Sequence, residues 1–299
     1  MFTDKRKFYS AILLLTALFS LAACRSENQT TTTAEVKTRE ITDDLGRRIT
    51  IPERVERVVS LAPNLTENIF AVGAGDRLIG VTSFCNYPEA AQKIQKVGDT
   101  ISPNIETIIA LKPQIVFVST ASQIETFTKT LEGQNITVFV TNPKDLSGVL
   151  ANLKQLGEIF GTQAKAAALL DDLQKRIAAV DARVKDKAKT KAFVQISKEP
   201  LFTIGKESFL TEIIERAGGT SVTSDVATAY PKISKETALA LSPGVIILSE
   251  SPDNLEPNDV FKNSPAIKNG KVFKISADIL SRPGPRIVDA LEQIAEALK

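Results

Sequence analysis

Two patterns of hydrophobic residues alternate along the chain from residue 57 to its end. Runs of consecutive apolar residues predict buried strands at 57–62, 78–83, 114–119, 136–142, 191–197, 244–250 and 271–276. Amphipathic stretches between and after them predict helices at 65–73, 89–96, 105–112, 123–133, 145–160, 208–217, 235–241 and 285–299. Because strands that alternate with helices form parallel sheets, the pattern predicts an α/β fold.

The first of these helices carries sequence signals at both ends. Asn64 precedes it and Glu67 follows three positions later, a pairing that predicts Asn64 as the N-cap. Gly73-Ala74-Gly75 follows a helix rather than a strand. We therefore interpret these residues as a C-terminal cap and not as a dinucleotide-binding fingerprint.

The sequence contains two pairs of consecutive aspartates that could serve as paired carboxylates in a functional site. The pair at positions 43–44 lies at a turn between two short β-type runs, which predicts a hairpin over residues 41–52. The pair at positions 171–172 lies on the polar face of a predicted helix. We interpret both pairs as solvated surface.

The longest amphipathic stretch lies between two blocks of domain size. Its apolar residues recur at a 3-4-3-4 spacing on one helix face, at Leu170, Leu173, Ile177, Val180 and Val184. The stretch contains neither Gly nor Pro, so we predict one helix over residues 162–185, about 36 Å long. The flanking blocks, 39–161 and 186–299, then form two Rossmann-like α/β lobes joined by one long rigid helix. The alternative is an ordinary surface helix of a single large domain.

A segment of the first lobe recurs in the second. Residues 105–119 align without gaps onto residues 235–249, with Glu-Thr, Ala-Leu, Pro and Ser in common. Each copy combines a short helix, a turn marked by Pro and a buried strand. The repeat predicts two related lobes that enclose a cleft, which is where α/β folds bind ligands.

Residues 1–23 have the features of a secretory leader. Three positively charged residues precede the apolar run AILLLTALFSL, and small residues follow it. The sequence LAAC, ending at Cys24, resembles the bacterial lipobox, in which cleavage precedes an acylated cysteine. We therefore predict that Cys24 anchors the mature protein to a membrane through lipid, followed by a polar, flexible tether over residues 24–38. The alternative is a plain signal peptide that ends in a cysteine by chance.

Composition and missing motifs exclude several classes of function. The 37 Lys and Arg residues nearly balance the 35 Asp and Glu residues, so no strong field favours nucleic acid. The chain contains no His, the commonest metal ligand and general base. With Cys24 assigned to the anchor, Cys85 is a single thiol, which argues against a disulfide. Because the sequence also has no P-loop, G-x-S-x-G motif or cysteine cluster, we predict a binding protein without metal or cofactor, not an enzyme.

Several segments together resemble one family of transport proteins. They are RVVSLAPNLTENIFAVGAGDRLIGVTSFCNYPEAAQKIQKVG, NIETIIALKPQIV, PLFTIGKESFLTEIIERAGG, YPKISKETALALSP and SRPGPRIVDALEQI. Over residues 40–299 the chain resembles the periplasmic vitamin B12-binding proteins of ABC importers, which belong with the ferric-siderophore and haem binders. The resemblance implies two α/β lobes joined by one long helix, and the FTIGKES and YPKISKE segments favour the B12 branch.

The resemblance also implies a ligand site between the lobes. The family's contact aromatics fall on Phe84, Phe202 and Tyr230, and its charged contact loop falls on Asp278, Ile279, Leu280, Ser281 and Arg282. The loop keeps the charged ends of the family pattern but has aliphatic residues where the pattern has aromatics. Thr100 and Ser119 stand where further cleft tryptophans would be, so this cleft is poorer in aromatics. The alternative for the three aromatic residues is ordinary core packing.

Glu106 and Glu236 occupy matching positions of the repeat, and in the family such glutamates meet arginines of the permease. The resemblance therefore implies that these residues dock on a permease dimer, which works with ATPase subunits. The other interpretation is that each carboxylate stabilises the dipole of its own helix.

The expected function is that of a monomeric, lipid-anchored protein that captures cobalamin or a related corrinoid outside the inner membrane and delivers it to the permease. A ferric siderophore or haem is the alternative ligand, and the absence of His leaves only Tyr or Cys, or no side chain, to bind haem iron. A secreted hydrolase is the alternative from another class, and the missing nucleophile and base oppose it.

Overall fold

Two parallel sheets organise the described part of the computed structural model, residues 37–120 and 124–299. The strands are β1 Thr38–Thr42, β2 Arg48–Pro52, β3 Val58–Ser60, β4 Leu78–Val81, β5 Ile115–Ser119, β6 Thr137–Thr141, β7 Thr190–Gln195, β8 Gly219–Ser221, β9 Val245–Glu250 and β10 Val272–Ser276. The helices are α1 Pro63–Ala71, α2 Ile105–Leu111, α3 Ile124–Glu132, α4 Leu146–Phe160, α5 Gln163–Val184, α6 Phe209–Arg216, α7 Lys235–Leu241, α8 Pro265–Lys268, α9 Ala277–Leu280 and α10 Ile287–Ala297. The predicted leader, Cys24 and the tether as far as residue 36 lie outside the described residues.

Both sheets have the same strand order. The first runs β4-β3-β5-β6 and the second runs β8-β7-β9-β10, with every neighbouring pair parallel. The prediction of an α/β fold built on parallel sheets is confirmed. Strand β8 was missed because Gly219–Ser221 is a three-residue strand without an apolar run. The helix predicted at 89–96 is a 3₁₀ segment, Glu89–Lys93.

The internal repeat has the same backbone in both copies. Helices α2 and α7 have seven residues each and begin after the side-chain N-caps Asn104 and Ser234. Each cap accepts a hydrogen bond from the amide three positions later. Both helices end on left-handed residues, Lys112 with φ 48° and Ser242 with φ 44°, before the equivalent strands β5 and β9. The sequence repeat is therefore also a structural repeat.

The predicted long helix is present as α5, Gln163–Val184. It packs against α4 of the first half and against α6 and α10 of the second. Its buried side chains are Ala166, Leu173, Ile177 and Val180. Asp171 and Asp172 on the polar face are exposed, as predicted. Within the described ranges, no helix combines the length and the apolar character that a bilayer crossing requires.

One hydrophobic core extends from the first sheet to the second through the helices packed around α5. It includes Phe117 of β5 and Val194 of β7, while separate apolar clusters cover the opposite face of each sheet. Because this core is continuous, residues 37–299 form one compact unit. The lobe boundaries at 39–161 and 186–299 remain a prediction.

Helix α1 begins differently from the prediction. Its N-cap is Ala62, without a side-chain cap, and Pro63 is its first residue. Asn64 lies within the first turn, and its buried Nδ2 has no hydrogen-bond partner. The prediction of an Asn64 cap is wrong because Pro63, with its fixed φ and missing amide, fits the first helical position. The C-terminal cap is confirmed, since Gly73 follows the last turn with φ 81°.

The β1–β2 hairpin is confirmed, and Asp44 is exposed as predicted, but the interpretation of Asp43 as solvated surface is wrong. The carboxylate of Asp43 is fully buried, pairs with Arg47 at 2.8 Å and accepts a hydrogen bond from the Val140 amide of β6. Asp44 accepts hydrogen bonds from the side chain of Asn152 on α4. The two carboxylates therefore join the hairpin to the first half, because buried backbone donors need acceptors.

Candidate ligand-binding site

The residues predicted to contact a ligand all follow the carboxyl ends of parallel strands. Phe84 follows β4, Phe202 follows β7, Tyr230 lies in the segment after β8, and residues 278–282 follow β10. Open α/β sheets bind ligands at this edge. All of the predicted contact residues therefore lie in segments that follow the carboxyl ends of strands, where a ligand site is expected.

Loops from the two halves meet through a ring of three polar residues. The Asn86 side chain donates to Asp278 Oδ2 at 2.9 Å. Arg282 donates through Nη1 to Asn86 Oδ1 at 2.8 Å and through Nη2 to Asp278 Oδ1 at 2.6 Å. Since Asn86 follows β4 and the other two follow β10, the first-half and second-half parts of the candidate site are hydrogen-bonded to each other.

A buried acid, Glu67 of α1, lies beneath this ring. Its side chain is 2% exposed and accepts a hydrogen bond from Arg282 Nη1 at 2.7 Å. Arg286 donates to it through Nε at 2.8 Å and Nη2 at 2.6 Å, and stacks over the Tyr87 ring at 4.2 Å. Hydrogen bonding to Glu67 raises the pKa of Arg286. The carboxylates of Glu67 and Asp278 thus compensate the two guanidinium groups, where an unpaired buried charge would destabilise the fold.

This cluster was not found by sequence analysis. Glu67 was assigned to the cap of α1 because it lies three residues after Asn64. Asn86 and Tyr87 stood inside a family segment without an assigned role. No local spacing marks the cluster, because residues 282–286 are not helical and Glu67 lies more than 200 positions before both arginines.

Two of the three predicted contact aromatics are exposed. Phe84 is 57% exposed and Tyr230 is 43% exposed, so core packing does not account for either ring. Burial raises the pKa of the Tyr230 hydroxyl, and a hydrogen bond with Ser208 partly opposes that shift. The hydroxyl of Tyr230 is therefore partly shielded from solvent, although the residue as a whole is 43% exposed.

Phe202 is partly buried in a short antiparallel ribbon beside Tyr230. Phe202 pairs with Lys232, and the Gly205 amide donates to the Ala229 carbonyl at 2.9 Å. In this register Phe202 and Tyr230 lie two residues apart across the ribbon. Two of the predicted aromatics therefore belong to one surface of the second half.

The loop at 278–282 is only partly accessible. Leu280 is 1% exposed within the main core, and Ile279 packs against that core. Arg282 is 9% exposed. The Asp278 side chain is 39% exposed, and Ser281 is exposed. In this conformation the loop presents Asp278 and Ser281 outward, whereas Leu280 offers no surface to a ligand.

A groove of about 300 Å³ lies beside the ion cluster. It is lined by Glu67, Phe70, Ala71, Tyr87, Pro88, Pro285 and Arg286. None of the predicted ligand residues lines it. Throughout residues 37–120 and 124–299, no group of three or more acidic or cysteine side chains is arranged to hold a metal ion.

The two glutamates of the repeat are exposed. Glu106 and Glu236 each occupy the second position of their helix. Hydrogen bonds from its own backbone amide and from Ser234 lower the pKa of Glu236. Both helices therefore present a carboxylate in their first turn.

Comparisons with known proteins agree on one family. The model of the periplasmic binding protein family matches residues 58–279. A vitamin B12-binding protein of Vibrio vulnificus (strain CMCP6) is 31% identical over 246 residues, which are 81% of this chain and 89% of the relative. An uncharacterized ABC transporter substrate-binding lipoprotein of Bacillus subtilis (strain 168) is 28% identical, over 98% of this chain and 97% of its own.

A solved structure has the same architecture. The crystal structure of the periplasmic vitamin B12-binding protein of Vibrio cholerae superposes with a TM-score of 0.74 and 27% identity. The match covers 83% of this chain and 98% of that one. The two-lobe fold implied by the family resemblance is confirmed.

Proposed function

The chain belongs to the periplasmic binding protein family, and from this premise we propose that it captures cobalamin or a related corrinoid and delivers it to an ABC permease. Membership in this family indicates a protein that binds a solute for transport rather than an enzyme. The similarity to vitamin B12-binding relatives, in sequence and in structure, carries the choice of ligand.

Features of the candidate site support a flat macrocyclic ligand. Phe84 and Tyr230 expose aromatic surface beside strand-end loops, and Asp278 and Ser281 add polar groups nearby in the fold. Ligand sites in proteins combine apolar area with a few polar groups that fix orientation. Of the four remaining predicted contacts, we assign Phe202 and Ile279 to the edges of the same site, while Leu280 and Arg282 are buried in this conformation.

The anchor and the partners follow from the same premise. The family and the lipoprotein relative support a location outside the cytoplasm. The lipobox-like sequence that ends at Cys24 supports a lipid anchor. Glu106 and Glu236, exposed at equivalent positions, support docking on a permease dimer with its ATPase subunits.

Direct titration tests the ligand. Calorimetry of the purified protein with cyanocobalamin, a ferric hydroxamate siderophore and haem, each followed by its absorption spectrum, is expected to show saturable one-to-one binding of cyanocobalamin only. Binding of haem or of the siderophore without binding of cyanocobalamin would overturn the assignment and select the alternative ligand.

A further inference from the structure

We propose that Glu67 is a positioning residue for the ligand site, acting through Arg282 on Asp278 and Asn86. The inference rests on the proposed function for the place of that site. Glu67 is nearly inaccessible, with a 2% exposed side chain, so its influence on a ligand must pass through its neighbours.

One guanidinium group connects the buried acid to the accessible polar groups. Arg282 Nη1 donates both to Glu67 at 2.7 Å and to Asn86 at 2.8 Å, and Nη2 donates to Asp278 at 2.6 Å. A guanidinium is planar and rigid, so holding one edge fixes the directions of its other donors. The position of Glu67 therefore determines where Arg282 holds Asn86 and Asp278.

This series of contacts has a buried part, Glu67 and Arg282, and a more exposed part, Asp278 and Asn86. The side chains of Glu67 and Arg282 are 2% and 10% exposed, whereas that of Asp278 is 39% exposed and Asn86 is exposed. Without Glu67, Arg282 would lose its buried counter-charge, and its guanidinium would be free to turn toward Asp278. The outer pair would then lose the geometry that this structure shows.

Little else on α1 is bonded to the loop. The Asn68 side chain donates to the Pro283 carbonyl at 3.4 Å, but its Oδ1 has no partner, nor does Nδ2 of Asn64. The loop approaches so closely that a Cβ on Gly284 would lie 2.6 Å from Asn68 Oδ1. Because these neighbours contribute one long hydrogen bond, the ion cluster is the main polar attachment of the loop to α1.

Arg286 offers an internal comparison. It donates two hydrogen bonds to Glu67 but none to Asn86 or Asp278 in the described structure. Loss of Arg286 removes charge from the cluster while leaving the connection from Glu67 through Arg282 intact. If Glu67 only stabilises the fold, its replacement should change ligand affinity to the same extent whichever arginine is absent. If Glu67 positions the site, its effect on affinity should depend on Arg282 and not on Arg286.

The first measurement uses the ligand-free protein. Backbone hydrogen exchange of residues 277–282 is compared in the parent, Glu67→Gln, Glu67→Asp and Asp181→Asn. Asp181 is the acid of a two-hydrogen-bond pair with Arg216 that joins α5 to α6, and it serves as a control ion pair outside the candidate site. We expect exchange about tenfold faster in Glu67→Gln, partial recovery in Glu67→Asp and parental exchange in the control.

The second measurement is cyanocobalamin titration of Glu67→Gln, Arg282→Gln, Arg286→Gln and the two double variants with Glu67→Gln. We expect Glu67→Gln to weaken binding about tenfold in the parent and in Arg286→Gln, but less than about twofold in Arg282→Gln. This loss of additivity with Arg282 alone is a result that a general loss of stability would not produce.

The outcomes separate this proposal from the proposed function. Parental exchange at 277–282 in Glu67→Gln, or equal additivity with both arginines, overturns the positioning role. If the parent does not bind cyanocobalamin, the proposed function fails, and the exchange measurement still decides whether Glu67 positions the loop. If Glu67→Gln does not fold, Glu67→Asp, which keeps the charge on a shorter side chain, decides the exchange result.

Discussion

Glu106 and Glu236 hold the same place in the two halves, each at the second position of a seven-residue helix that ends on a left-handed residue. The strands that follow these helices also occupy the same place in their sheets. The two carboxylates are therefore related by fold position and not only by sequence. A dimeric partner, which offers one surface twice, is complementary to such a pair.

We expect Glu106→Ala combined with Glu236→Ala to abolish delivery of cobalamin while leaving its affinity within about twofold of the parent, because both residues lie on helices that carry no predicted ligand contact. Transport into vesicles that contain the permease and its ATPase, together with calorimetry, measures the two quantities.

A control replaces one exposed glutamate in each half away from these helices, Glu158→Ala and Glu215→Ala. The control should transport at the parental rate. If the glutamates only favour their helix dipoles, the double variant loses about 0.3 to 1 kcal/mol of stability per site and still delivers ligand. Parental transport by the Glu106 and Glu236 variant would therefore reject docking.

The exposed aromatics should carry a large share of ligand affinity. We expect Phe84→Ala and Tyr230→Ala each to weaken cobalamin binding roughly a hundredfold, since burying an aromatic face contributes a few kcal/mol. Isothermal titration measures the loss, and circular dichroism checks the fold. Leu239→Ala is the control, because Leu239 is 64% exposed on α7, away from the predicted contacts. Parental affinity in both aromatic variants would show that the ligand or its site is assigned wrongly.

Replacement of Cys24 tests the lipid anchor. Because acylation requires the cysteine thiol, Cys24→Ser should move the protein from the membrane fraction to the soluble fraction or leave an uncleaved precursor. Cell fractionation and mass spectrometry of the mature N-terminus make the measurement. A Cys85→Ser variant should remain membrane-bound. Detection of an unmodified Cys24, or of cleavage elsewhere, would contradict the assignment.

The ion pair between Arg176 of α5 and Glu292 of α10 should stabilise the folded protein only above acidic pH. A hydrogen bond from the Arg176 guanidinium lowers the pKa of Glu292, and the pair distance is 2.7 Å. A carboxyl group with a lowered folded pKa contributes stability that is present above its unfolded value of about 4.5 and is lost as pH falls through the folded value. We therefore expect Glu292→Gln to destabilise the protein at pH 7 and to converge with the parent at acidic pH.

The expected loss at pH 7 is about 0.5 to 1 kcal/mol, because the Glu292 side chain is 39% exposed and solvent screens the pair. Urea unfolding at a series of pH values measures it. In an Arg176→Gln background, the effect of Glu292→Gln on the free energy of unfolding should depend little on pH. A pH-independent difference between Glu292→Gln and the parent would show that the ion pair is not its cause.

Much of the fold could be predicted because its signals are local. The strand at β5 is a run of consecutive apolar residues, and α5 is a regular stripe without Gly or Pro, so neighbours in sequence determined both. The repeat of α2 and β5 in α7 and β9 could be found for the same reason. Predictions at the ends of elements were less accurate, since Pro63 rather than Asn64 begins α1.

The sequence alone determined the α/β class, the long helix, the repeat and the family, because each depends on residue periodicity or on motifs that are read in order. Only the tertiary structure decided what the isolated charges do. Asp43 was interpreted as surface and is buried against β6, and Glu67 was interpreted as a cap and binds two arginines more than 200 positions away. Burial and charge pairing between distant segments depend on how the two halves pack, and no local spacing encodes that arrangement.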